Sequence, residues 1–325
     1  MMKKILVTGA TGFIGYEVSK LLSLQGFQPR LMVRRPIRGM LLKSLDAELK
    51  QGDLSRPQSI QRLVAGIDTV IHLGAMATFE SYRKVRSSIV DGSVNLMRAA
   101  IDAGVEHFVY GGSLLVYGDQ TKPISQDTRP QPQSGYGRAK LEAENLMAEM
   151  ADKAGIHFIS IRLPHVYGAK SLLFYQIRQG TIFFPGKGNN LFGHLHASDA
   201  ARALIKAAVS DKHGVYVVAD NLSCSWNDFF EITQSFYPKL RVLHIPKWFA
   251  LMATGIIELL LKYKQTPNRF SSGAVLSWNL HLPVESNTLT TALDMEPDYP
   301  TISDGIPEVL DDCIAFTWRP SNLDN

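Results

Sequence analysis

The chain has 325 residues, enough to bury a full core, and its 45% hydrophobic and 20% charged residues are typical of a globular protein. A net charge of +4 without a dense basic run argues against binding to nucleic acid. Two cysteines, Cys224 and Cys313, are too few for a disulfide framework, so we predict a reducing, cytoplasmic location.

The first predicted element is a short apolar strand, Ile5–Thr8, that runs into three glycines. Gly9, Gly12 and Gly15 have the spacing G-x-x-G-x-x-G, and an apolar helix is predicted over 14–24. In such a turn the first glycine bends the chain, the second removes a Cβ that would block phosphates, and the third lets helix and strand pack closely. The free N–H groups of the helix then point at an anion, which predicts a dinucleotide pyrophosphate site.

Strand and helix patterns alternate through the first half of the chain. Strands are predicted at 5–8, 30–33, 48–51, 69–72, 108–111 and 158–162, and helices at 14–24, 58–65, 87–103 and 136–154. This alternation indicates parallel βαβ units, whose ligands bind beyond the carboxyl ends of the strands. The predicted fold class is α/β, with a Rossmann-type doubly wound parallel sheet and a smaller, interwoven C-terminal substrate lobe.

After Pro164 the alternation changes, with a loop predicted over 183–190 and a further strand over 214–218. We therefore predict a dinucleotide-binding Rossmann domain over residues 1–164. Residues 165–325 would form mainly the substrate-binding lobe, with about 197–220 returning to the Rossmann sheet.

The residues after the second predicted strand indicate which nucleotide binds. About 20 positions past the glycines, an acid would bind the ribose 2′-hydroxyl of NAD, whereas arginine accommodates the 2′-phosphate of NADP. Here the strand is followed by Arg34 and Arg35, and the next carboxylate is Asp46. Because arginine binds phosphate through paired charge-assisted hydrogen bonds, we predict a preference for NADP(H), with NAD(H) remaining possible. The alternative is that both arginines are solvated surface charges.

Tyr136 and Lys140 lie four residues apart, which places a phenol and an ammonium on one face of a predicted helix. A free tyrosine has a pKa near ~10, but a nearby cation favours its phenolate and improves it as an acid–base group. Ser113 follows the strand predicted over 108–111 and offers a hydroxyl to a substrate oxygen. Alone, Tyr136 and Lys140 could be two surface residues of an amphipathic helix; with the glycine turn, they predict carbonyl–alcohol interconversion by hydride transfer.

This combination resembles the extended short-chain dehydrogenase/reductase superfamily, with its NAD-dependent epimerases and dehydratases, over nearly the whole chain. The C-terminal third resembles the branch of 3β-hydroxysteroid dehydrogenases and dihydroflavonol reductases through Ile245-Pro246-Lys247-Trp248, Val284-Glu285-Ser286, Ala292-Leu293 and Tyr299-Pro300, followed by Gly305. The matching segments are Asp53-Leu54, His72-Leu73-Gly74-Ala75, Ser113-Leu114-Leu115-Val116-Tyr117-Gly118, Arg162-Leu163-Pro164-His165-Val166-Tyr167-Gly168 and His196-Ala197-Ser198-Asp199.

The resemblance implies roles for individual residues. Tyr136 would be the acid–base group, Lys140 its pKa modulator and a ribose ligand, and Ser113 the donor to the substrate oxygen. The substrate would contact Thr78, Leu114 and His165. The cofactor would contact Gly9, Thr11, Gly12, Phe13, Ile14, Gly15, Arg34, Arg35, Asp53, Leu54, Leu73, Gly74, Ala75, Tyr136, Lys140, Pro164, His165 and Val166.

Several positions depart from the family pattern. His165 replaces the asparagine beside the nicotinamide and substrate, and Ile89 stands where many relatives have asparagine. Leu114 and Leu115 replace the Asp-Glu pair with which sugar 4,6-dehydratases eliminate water, which argues against dehydration. Asn95 is predicted to be a packing or capping residue.

The C-terminal third contains one long apolar stretch, residues 248–261. It is shorter than the ~20 residues that span a bilayer, and Glu258 interrupts it. We predict a buried or substrate-covering helix there rather than one on a membrane surface. No membrane span is predicted, although peripheral association is left open.

Two histidines, His194 and His196, alternate along a predicted strand. Two ligands without a third nearby argue for hydrogen-bonded structural histidines, and Cys224 and Cys313 have no metal-ligand spacing. No metal site is predicted.

The predicted function is an NADP(H)-dependent oxidoreductase that interconverts a carbonyl and an alcohol on an apolar or ring-containing small molecule. An NAD-dependent nucleotide-sugar epimerase is the main alternative, although the diphosphate of its substrate requires a basic cleft. The third interpretation is a non-catalytic NADP-binding sensor or assembly protein, which would not need to keep Ser113, Tyr136 and Lys140 together. A homodimer remains possible.

Overall fold

The computed structural model describes residues 3–261 and 271–315, and within them the chain forms thirteen strands and thirteen α-helices. The strands are β1 (Ile5–Thr8), β2 (Arg30–Val33), β3 (Glu48–Gln51), β4 (Thr69–His72), β5 (His107–Ser113), β6 (His157–Leu163), β7 (His165–Tyr167), β8 (Thr181–Pro185), β9 (Leu191–Phe192), β10 (His194–His196), β11 (Gly214–Val217), β12 (Cys224–Ser225) and β13 (Arg241–Ile245).

The helices alternate with these strands and then dominate the C-terminal third. They are α1 (Phe13–Leu24), α2 (Pro36–Gly39), α3 (Pro57–Val64), α4 (Tyr82–Arg86), α5 (Gly92–Asp102), α6 (Gly135–Ala154), α7 (Leu172–Ile177), α8 (Ala197–Val209), α9 (Trp226–Phe236), α10 (Lys247–Leu260), α11 (Ser272–Trp278), α12 (Thr288–Leu293) and α13 (Ile302–Ala315).

Seven strands form one parallel sheet in the order β11-β6-β5-β4-β1-β2-β3. The chain runs from β1 outward to β3 and then returns to β4 on the other side of β1. This reversal between β1 and β4 is the topological switch point at which doubly wound sheets bind their ligands. The predicted α/β class is confirmed. Strand β11, which comes late in the chain, completes the sheet beside β6.

The predicted boundaries agree with the structure over most of the first half. The helix predicted over 87–103 begins earlier, at Tyr82, and a π-helical turn over Ser87–Asp91 joins α4 to α5. The loop predicted over 183–190 is wrong in its first part, because residues 181–185 form β8. That strand pairs in parallel with β13, a partner so distant in sequence that no local pattern reveals it.

Apolar residues fill both faces of the sheet and a third core in the C-terminal part. One face packs β1 and β6 against α1 and α8, and the other packs β4 and β5 against α3, α5 and α6. The third core is rich in aromatic side chains, among them Tyr167, Phe174 and Phe229, and it supports the segments that follow β6.

Helix α10 lies on the surface, so the expectation of a buried helix over 248–261 is wrong, and a substrate-covering role for it stays a prediction. Only Ala250 and Thr254 of α10 are buried, while Trp248 is 68% and Leu260 is 74% exposed. Periodicity alone does not separate these cases, since an apolar helix can cover a core or present its apolar side outward. No helix in residues 3–261 or 271–315 is both long and apolar enough to cross a bilayer.

Both edges of the sheet are protected by polar side chains. At one edge, the Gln126 amide bonds to β11: its nitrogen donates to the Val215 carbonyl, and its oxygen accepts from the Val217 N–H at 3.0 Å. At the other edge every residue of β3 is exposed, and Glu48 pairs there with Arg30 at 2.6 Å. Occupied or charged edges of this kind resist pairing with further strands.

Candidate active site

The glycine turn after β1 brings distant backbone segments into contact. Gly9 has a φ of 74°, in the left-handed region that glycine adopts without strain, and its carbonyl accepts from the Gly12 N–H at 2.8 Å. A Cβ on Gly15 would lie 2.2 Å from that carbonyl oxygen, and a Cβ on Gly9 would lie 2.7 Å from the backbone of Leu73. The absence of a side chain at Gly9 therefore lets the end of β4 pack against the turn, and its absence at Gly15 lets the first turn of α1 pack against Gly9.

The N-terminus of α1 presents backbone donors at this turn. Intrahelical bonding begins with the Tyr16 N–H, which donates to the Gly12 carbonyl at 3.0 Å, so the amides of Phe13, Ile14 and Gly15 precede it. No acidic side chain stands in the first turn to satisfy them. Free amides at the positive end of a helix dipole bind anions, and they fit the pyrophosphate of a dinucleotide.

The two arginines predicted to meet the nucleotide follow β2 directly. Arg34 and Arg35 are both exposed, and neither forms an ion pair with any other described residue. Asp53, beyond β3, accepts from the backbone and hydroxyl of Ser55 at 2.9 Å and 2.8 Å. The Ser55 N–H lowers the pKa of Asp53 most, and the Arg34 charge lowers it further.

A chain of buried hydrogen bonds fixes the ends of β1 and β4 against α5. The Ser93 hydroxyl donates to the Ile89 carbonyl, so its oxygen accepts from the Nε2–H of His72 at 2.9 Å. The other ring nitrogen of His72 accepts from the Thr8 hydroxyl at 2.7 Å, and the Thr8 oxygen accepts from the Gly74 N–H at 3.1 Å. Burial lowers the pKa of His72 to about 3, so its ring is neutral.

Asn95 has the packing role that the sequence predicts. Its side-chain amide donates to the Leu54 carbonyl at 3.0 Å, which ties α5 to the segment after β3. Leu54 also lies close beneath Gly74 and Gly92, since a Cβ on either glycine would come within 3.2 Å of the Leu54 side chain. The segments predicted to contact adenine and nicotinamide are thus packed together.

Tyr136 lies between two glycines in the first turn of α6, and each glycine permits a close backbone contact. A Cβ on Gly135 would lie 2.3 Å from the Tyr82 amide nitrogen, and one on Gly137 would lie 2.2 Å from the Leu115 carbonyl oxygen. The helix start that carries the phenol is therefore held between the chain leading into α4 and the turn after β5.

Lys140 lies one turn further along α6 and is only 5% exposed. Its Nζ donates to the Gly111 carbonyl at 2.5 Å and lies 4.2 Å from the centre of the Tyr110 ring. Burial lowers the pKa of Lys140 to about 7, while the Glu144 charge raises it. Burial also raises the pKa of Tyr136 to about 12. The predicted lowering of the Tyr136 pKa by its lysine neighbour is thus outweighed here by desolvation.

Ser113 is the last residue of β5, and its hydroxyl keeps a proton to donate. The Ser113 Oγ accepts from the Leu115 N–H at 3.2 Å, a bond that uses a lone pair and leaves the O–H free. Because Gly137 packs against the Leu115 carbonyl, the end of β5 meets the first turn of α6. The structure therefore brings Ser113 to the helix that carries Tyr136 and Lys140.

A buried ion pair that the sequence reasoning missed fixes α6 against β6. Glu144 and Arg162 are 2% and 9% exposed in their side chains, and their closest atoms are 2.5 Å apart. Glu144 also accepts from the Ser160 hydroxyl at 2.5 Å, and Arg162 donates to the Tyr117 hydroxyl at 2.6 Å. The signal was present in the sequence, because Glu144 continues the four-residue spacing of Tyr136 and Lys140.

Phe79 is a second residue that the sequence reasoning missed. Its ring meets that of Tyr136 edge-on, with 5.5 Å between ring centres, and it comes from the chain between β4 and α4, where no motif marks it. Of the predicted substrate contacts, Thr78 is partly exposed beside Phe79, but Leu114 is 1% exposed. Leu114 is thus part of the C-terminal core rather than of an open surface.

His165, which replaces the family's asparagine, is paired with a second imidazole. Its Nδ1 lies 3.0 Å from the Nδ1 of His194, so one ring donates to the other, and its ring centre lies 4.8 Å from that of Trp226. Burial lowers the pKa of His165 to about 3 and that of His194 well below its ordinary value. Two neutral rings therefore occupy this part of the site.

The expectation that His194 is a fully satisfied structural histidine is wrong in part, because its Nε2 is buried without a partner in the described part of the chain. His196 is satisfied: its Nδ1 accepts from the Ser198 N–H at 3.3 Å, and its Nε2 bonds to Glu308 at 2.9 Å. Both cysteines are buried and free. Within residues 3–261 and 271–315, no three His, Cys, Asp or Glu side chains are grouped to hold a metal.

Comparison with known proteins gives this site its context. Residues 5–219, which contain every strand of the central sheet, match the NAD dependent epimerase/dehydratase family. The chain belongs to this family. The predicted resemblance to the extended short-chain dehydrogenase/reductases is confirmed.

Its relatives include both epimerases and reductases. It is 33% identical to a UDP-glucose 4-epimerase from Lactobacillus helveticus over 97% of this chain and 96% of the relative. It is 24% identical to a ceramide reductase from Caulobacter vibrioides strain NA1000 / CB15N over 98% and 97% of the two chains. A 3-beta-hydroxysteroid dehydrogenase from Mycolicibacterium neoaurum is 31% identical over 51% of this chain and 48% of its own.

Several curated relatives, that dehydrogenase among them, are matched over only about half of their own length, with shares of 54%, 53% and 48%. Among solved structures, MoeE5 in complex with UDP-glucose and NAD superposes with a TM-score of 0.78 at 22% identity, over 97% of this chain and 99% of that one. This likeness supports the fold.

Proposed function

We propose that the protein is an NADP(H)-dependent reductase or dehydrogenase that interconverts a carbonyl and an alcohol on an apolar or ring-containing small molecule. One observation carries the proposal: Tyr136 and Lys140 lie a turn apart in α6, and the first turn of α6 packs on the segment that follows Ser113. A proton donor, a cation and a hydroxyl donor are thus held at the carboxyl end of β5, beside the switch point of the sheet.

The residues present fit an NADP(H) cofactor. The amides at the start of α1 would hold the pyrophosphate, and Arg34 and Arg35 would hold the 2′-phosphate, since both are exposed without a competing ion pair among described residues. Of the remaining cofactor contacts proposed from the sequence, Tyr136 and Lys140 lie on α6, and the others follow β3, β4 and β6, at the same edge of the parallel sheet. When bound, the nicotinamide supplies or accepts the hydride.

Tyr136 acts as the acid in the direction of reduction. With a pKa of about 12 it is protonated at neutral pH, so it has a proton to give to the carbonyl oxygen as hydride reaches the carbon. Charged Lys140 stabilises the phenolate that remains, and the free O–H of Ser113 donates to the same substrate oxygen. In oxidation these groups act in reverse.

Two observations favour an apolar substrate over a nucleotide sugar. His165 is partly exposed and presents a neutral ring, which packs on the buried rings of Trp226 and Phe229 with ring centres 4.8 Å and 5.6 Å away. A ceramide reductase is among the relatives aligned over nearly the whole chain. Leu114 and Leu115 offer no carboxylate for eliminating water, so dehydration is not proposed.

Replacement of Tyr136 by phenylalanine tests the proposal. Tyr136→Phe removes the proton donor but keeps the ring against Phe79, so NADPH oxidation with apolar ketones should fall at least ~100-fold. NADPH affinity should change less than about twofold, because the phenol mainly serves the chemical step. Tyr175→Phe, at an exposed position on α7, is the control and should keep full activity.

Persistent turnover in Tyr136→Phe would contradict the assignment of the acid. The substrate panel should contain keto-steroids, long-chain ketones and keto-lipids, each followed by NADPH absorbance and product mass.

A second candidate, a nucleotide-sugar epimerase, is favoured by the full-length match to the UDP-glucose 4-epimerase. The two candidates differ in redox balance. An epimerase would retain NAD and convert UDP-sugars without net consumption of cofactor, whereas the proposed enzyme releases NADP⁺ in proportion to reduced product. Mass spectrometry of the cofactor that co-purifies with the protein separates them.

A further inference from the structure

Helix α10 presents a continuous apolar stripe to solvent. Six of its large apolar side chains are exposed, and their spacing of three or four residues places most of them on one face. They are Trp248, Phe249, Met252, Ile256, Leu259 and Leu260. Scattered surface leucines are ordinary, but a stripe along a whole helix marks an interaction surface.

The only acid of α10 does not interrupt this stripe, because it is engaged by the neighbouring helix. Glu258 accepts from the backbone N–H of Ser272 at 2.9 Å and from the Ser272 hydroxyl at 3.2 Å. Thr254 adds a contact to the same hydroxyl at 3.3 Å. The polar side of α10 therefore packs against α11 through these hydrogen bonds, and the apolar side faces solvent.

Two further exposed apolar side chains lie on the small sheet that precedes α10 in the chain. Phe183 of β8 and Leu243 of β13 are paired in register, and they are 64% and 48% exposed. Strand β13 ends at Ile245, and α10 begins two residues later at Lys247. We call Phe183, Leu243 and the six exposed residues of α10 the apolar platform.

Basic residues flank α10 in the sequence, and those that the structure describes are exposed. Arg241 and Lys247 are exposed, and residues 239–264 contain five Lys or Arg but a single acid, the engaged Glu258. Two of the five cations, Lys262 and Lys264, follow α10 outside the described residues. An apolar stripe bordered by basic residues matches an interface of acyl chains and anionic headgroups.

We propose that the apolar platform docks the protein on an anionic lipid bilayer, with α10 lying in the plane of the interface. Trp248 suits the headgroup level, since an indole has an apolar body and a polar N–H. A second copy of the chain fits less well. Arg241 and Lys247 are exposed next to the platform, and a second copy would meet them with the same positive side chains, whereas anionic headgroups are complementary to them.

The platform is linked to the candidate active site through one short helix. Ser271, the cap of α11, donates through its hydroxyl to the Phe79 carbonyl at 2.8 Å, and a Cβ on Gly273 would lie 2.0 Å from the same oxygen. Phe79 in turn contacts Tyr136 ring to ring. We infer that the substrate is an apolar lipid taken from the bilayer beneath α10, and this inference about the substrate rests on the proposed function.

Flotation with lipid vesicles tests docking independently of catalysis. Full-length protein is mixed with vesicles of phosphatidylcholine alone or of phosphatidylcholine with phosphatidylglycerol, then separated on a density gradient. We expect flotation with the anionic vesicles and release by high salt. The variant Trp248→Ser, Ile256→Ser, Leu260→Ser should lower the bound fraction at least about tenfold.

Leu24→Ser is the matched control, because Leu24 on α1 is as exposed as Leu260, at 74%. It should float like the unmodified protein, and circular dichroism with thermal melting checks that both variants are folded. Equal flotation of the triple variant and the control would overturn docking. So would a dimer in sedimentation velocity that the triple variant abolishes while no protein floats, because the platform would then be a contact between copies.

The inference that the substrate is a lipid is tested by a separate measurement, the rate of NADPH oxidation. If docking holds but anionic vesicles fail to accelerate NADPH oxidation with a vesicle-borne ketone, the substrate inference fails. A protein inactive with every ketone, in vesicles or in solution, instead contradicts the proposed function and leaves docking as measured.

Discussion

The charge states around Tyr136 are set more by desolvation than by neighbouring charges. Burial moves the pKa of Lys140 down to about 7 and that of Tyr136 up to about 12, and both shifts favour the neutral form. The Tyr136 phenol therefore keeps its proton at neutral pH, whereas the Lys140 ammonium loses its proton as pH rises through about 7. The net charge of the site near neutral pH therefore depends on the protonation of Lys140.

The pH dependence of reduction should report Lys140. Its ammonium is needed to stabilise the developing phenolate, and with a pKa of about 7 it loses its proton as pH rises through neutrality. The kcat/KM for ketone reduction, which reports groups of the free enzyme, should therefore fall as pH rises above about 7. Lys140→Arg should shift this fall to much higher pH, because arginine stays charged.

A flat kcat/KM profile from neutral to alkaline pH would contradict this assignment. Tyr175→Phe serves again as the reference, since its profile should match that of the unmodified enzyme.

At this scale the sequence predicts the positions of the candidate reactive residues but not their surroundings. The spacing of Tyr136 and Lys140 places both on one face of α6, and the structure agrees. The partner of Lys140, the Gly111 carbonyl, and the ring of Phe79 come from other segments, and no local pattern encodes such contacts. The burial that reverses the expected pKa shift of Tyr136 is likewise a tertiary effect.

Helix α6 is the element on which the site is built, and it is anchored at two levels. At its start, Gly135 and Gly137 admit the backbone of neighbouring segments. Two turns further, Glu144 and Arg162 form a buried ion pair whose remaining bonds go to Ser160 and Tyr117. A buried pair with satisfied partners is costly to break, because the residue left behind is an uncompensated charge.

Removal of Glu144 should therefore destabilise the protein strongly. Glu144→Ala leaves the Arg162 guanidinium buried with its carboxylate missing, so we expect a loss of about 3–5 kcal/mol in the free energy of unfolding. Urea denaturation followed by circular dichroism measures it. Glu149→Ala, which removes an exposed partner of Lys153 on the same helix, should leave the transition unchanged. Similar midpoints for the two variants would show that the buried pair does not anchor α6.

Regular elements with local signals are well predicted, and those that depend on distant partners are not. The glycine turn, β1 to β4 and α6 have apolar periodicity and punctuating glycines near their ends, and their predicted bounds agree within a residue or two. Strand β8 exists because β13 pairs with it, and α10 is exposed because its polar side binds α11. The π-helical turn over Ser87–Asp91 has no sequence signal that we identify.

In the molecule as a whole, the elements predicted to bind nucleotide and substrate converge on one edge of the central sheet. The carboxyl ends of β1, β2 and β4 carry the glycine turn, the arginines and the chain leading to Phe79. Helices and small strands from the second half border this edge from the side of β5 and β6. The sequence predicts this arrangement through the order of its βαβ units, whereas the exact borders of the second half remain a prediction.

Cofactor preference should be visible in the stability of the whole chain. A ligand that binds only the folded state raises the melting temperature, and at equal concentration the tighter ligand raises it more, so NADPH should stabilise the protein more than NADH does. Arg34→Ala with Arg35→Ala should weaken NADPH binding by about a hundredfold and remove most of this difference, because charge-assisted bonds are worth about 1.5–3 kcal/mol each.

Arg98→Ala, at an exposed position on α5, is the control and should retain the preference for NADPH. The NADP assignment fails if the double variant and this control melt alike with both nucleotides.

The side-chain amide of Gln126 has a bearing on how the protein behaves when crowded. The amide bonds to the carbonyl of Val215 and to the N–H of Val217, which are two groups that a neighbouring eighth strand would otherwise bond. A strand of a neighbouring molecule therefore cannot bond to these two groups of β11. At the opposite edge of the sheet, the exposed charged side chains of β3 oppose pairing in the same way. Growth of the sheet into fibrils is thereby discouraged at both ends, even at high local concentration.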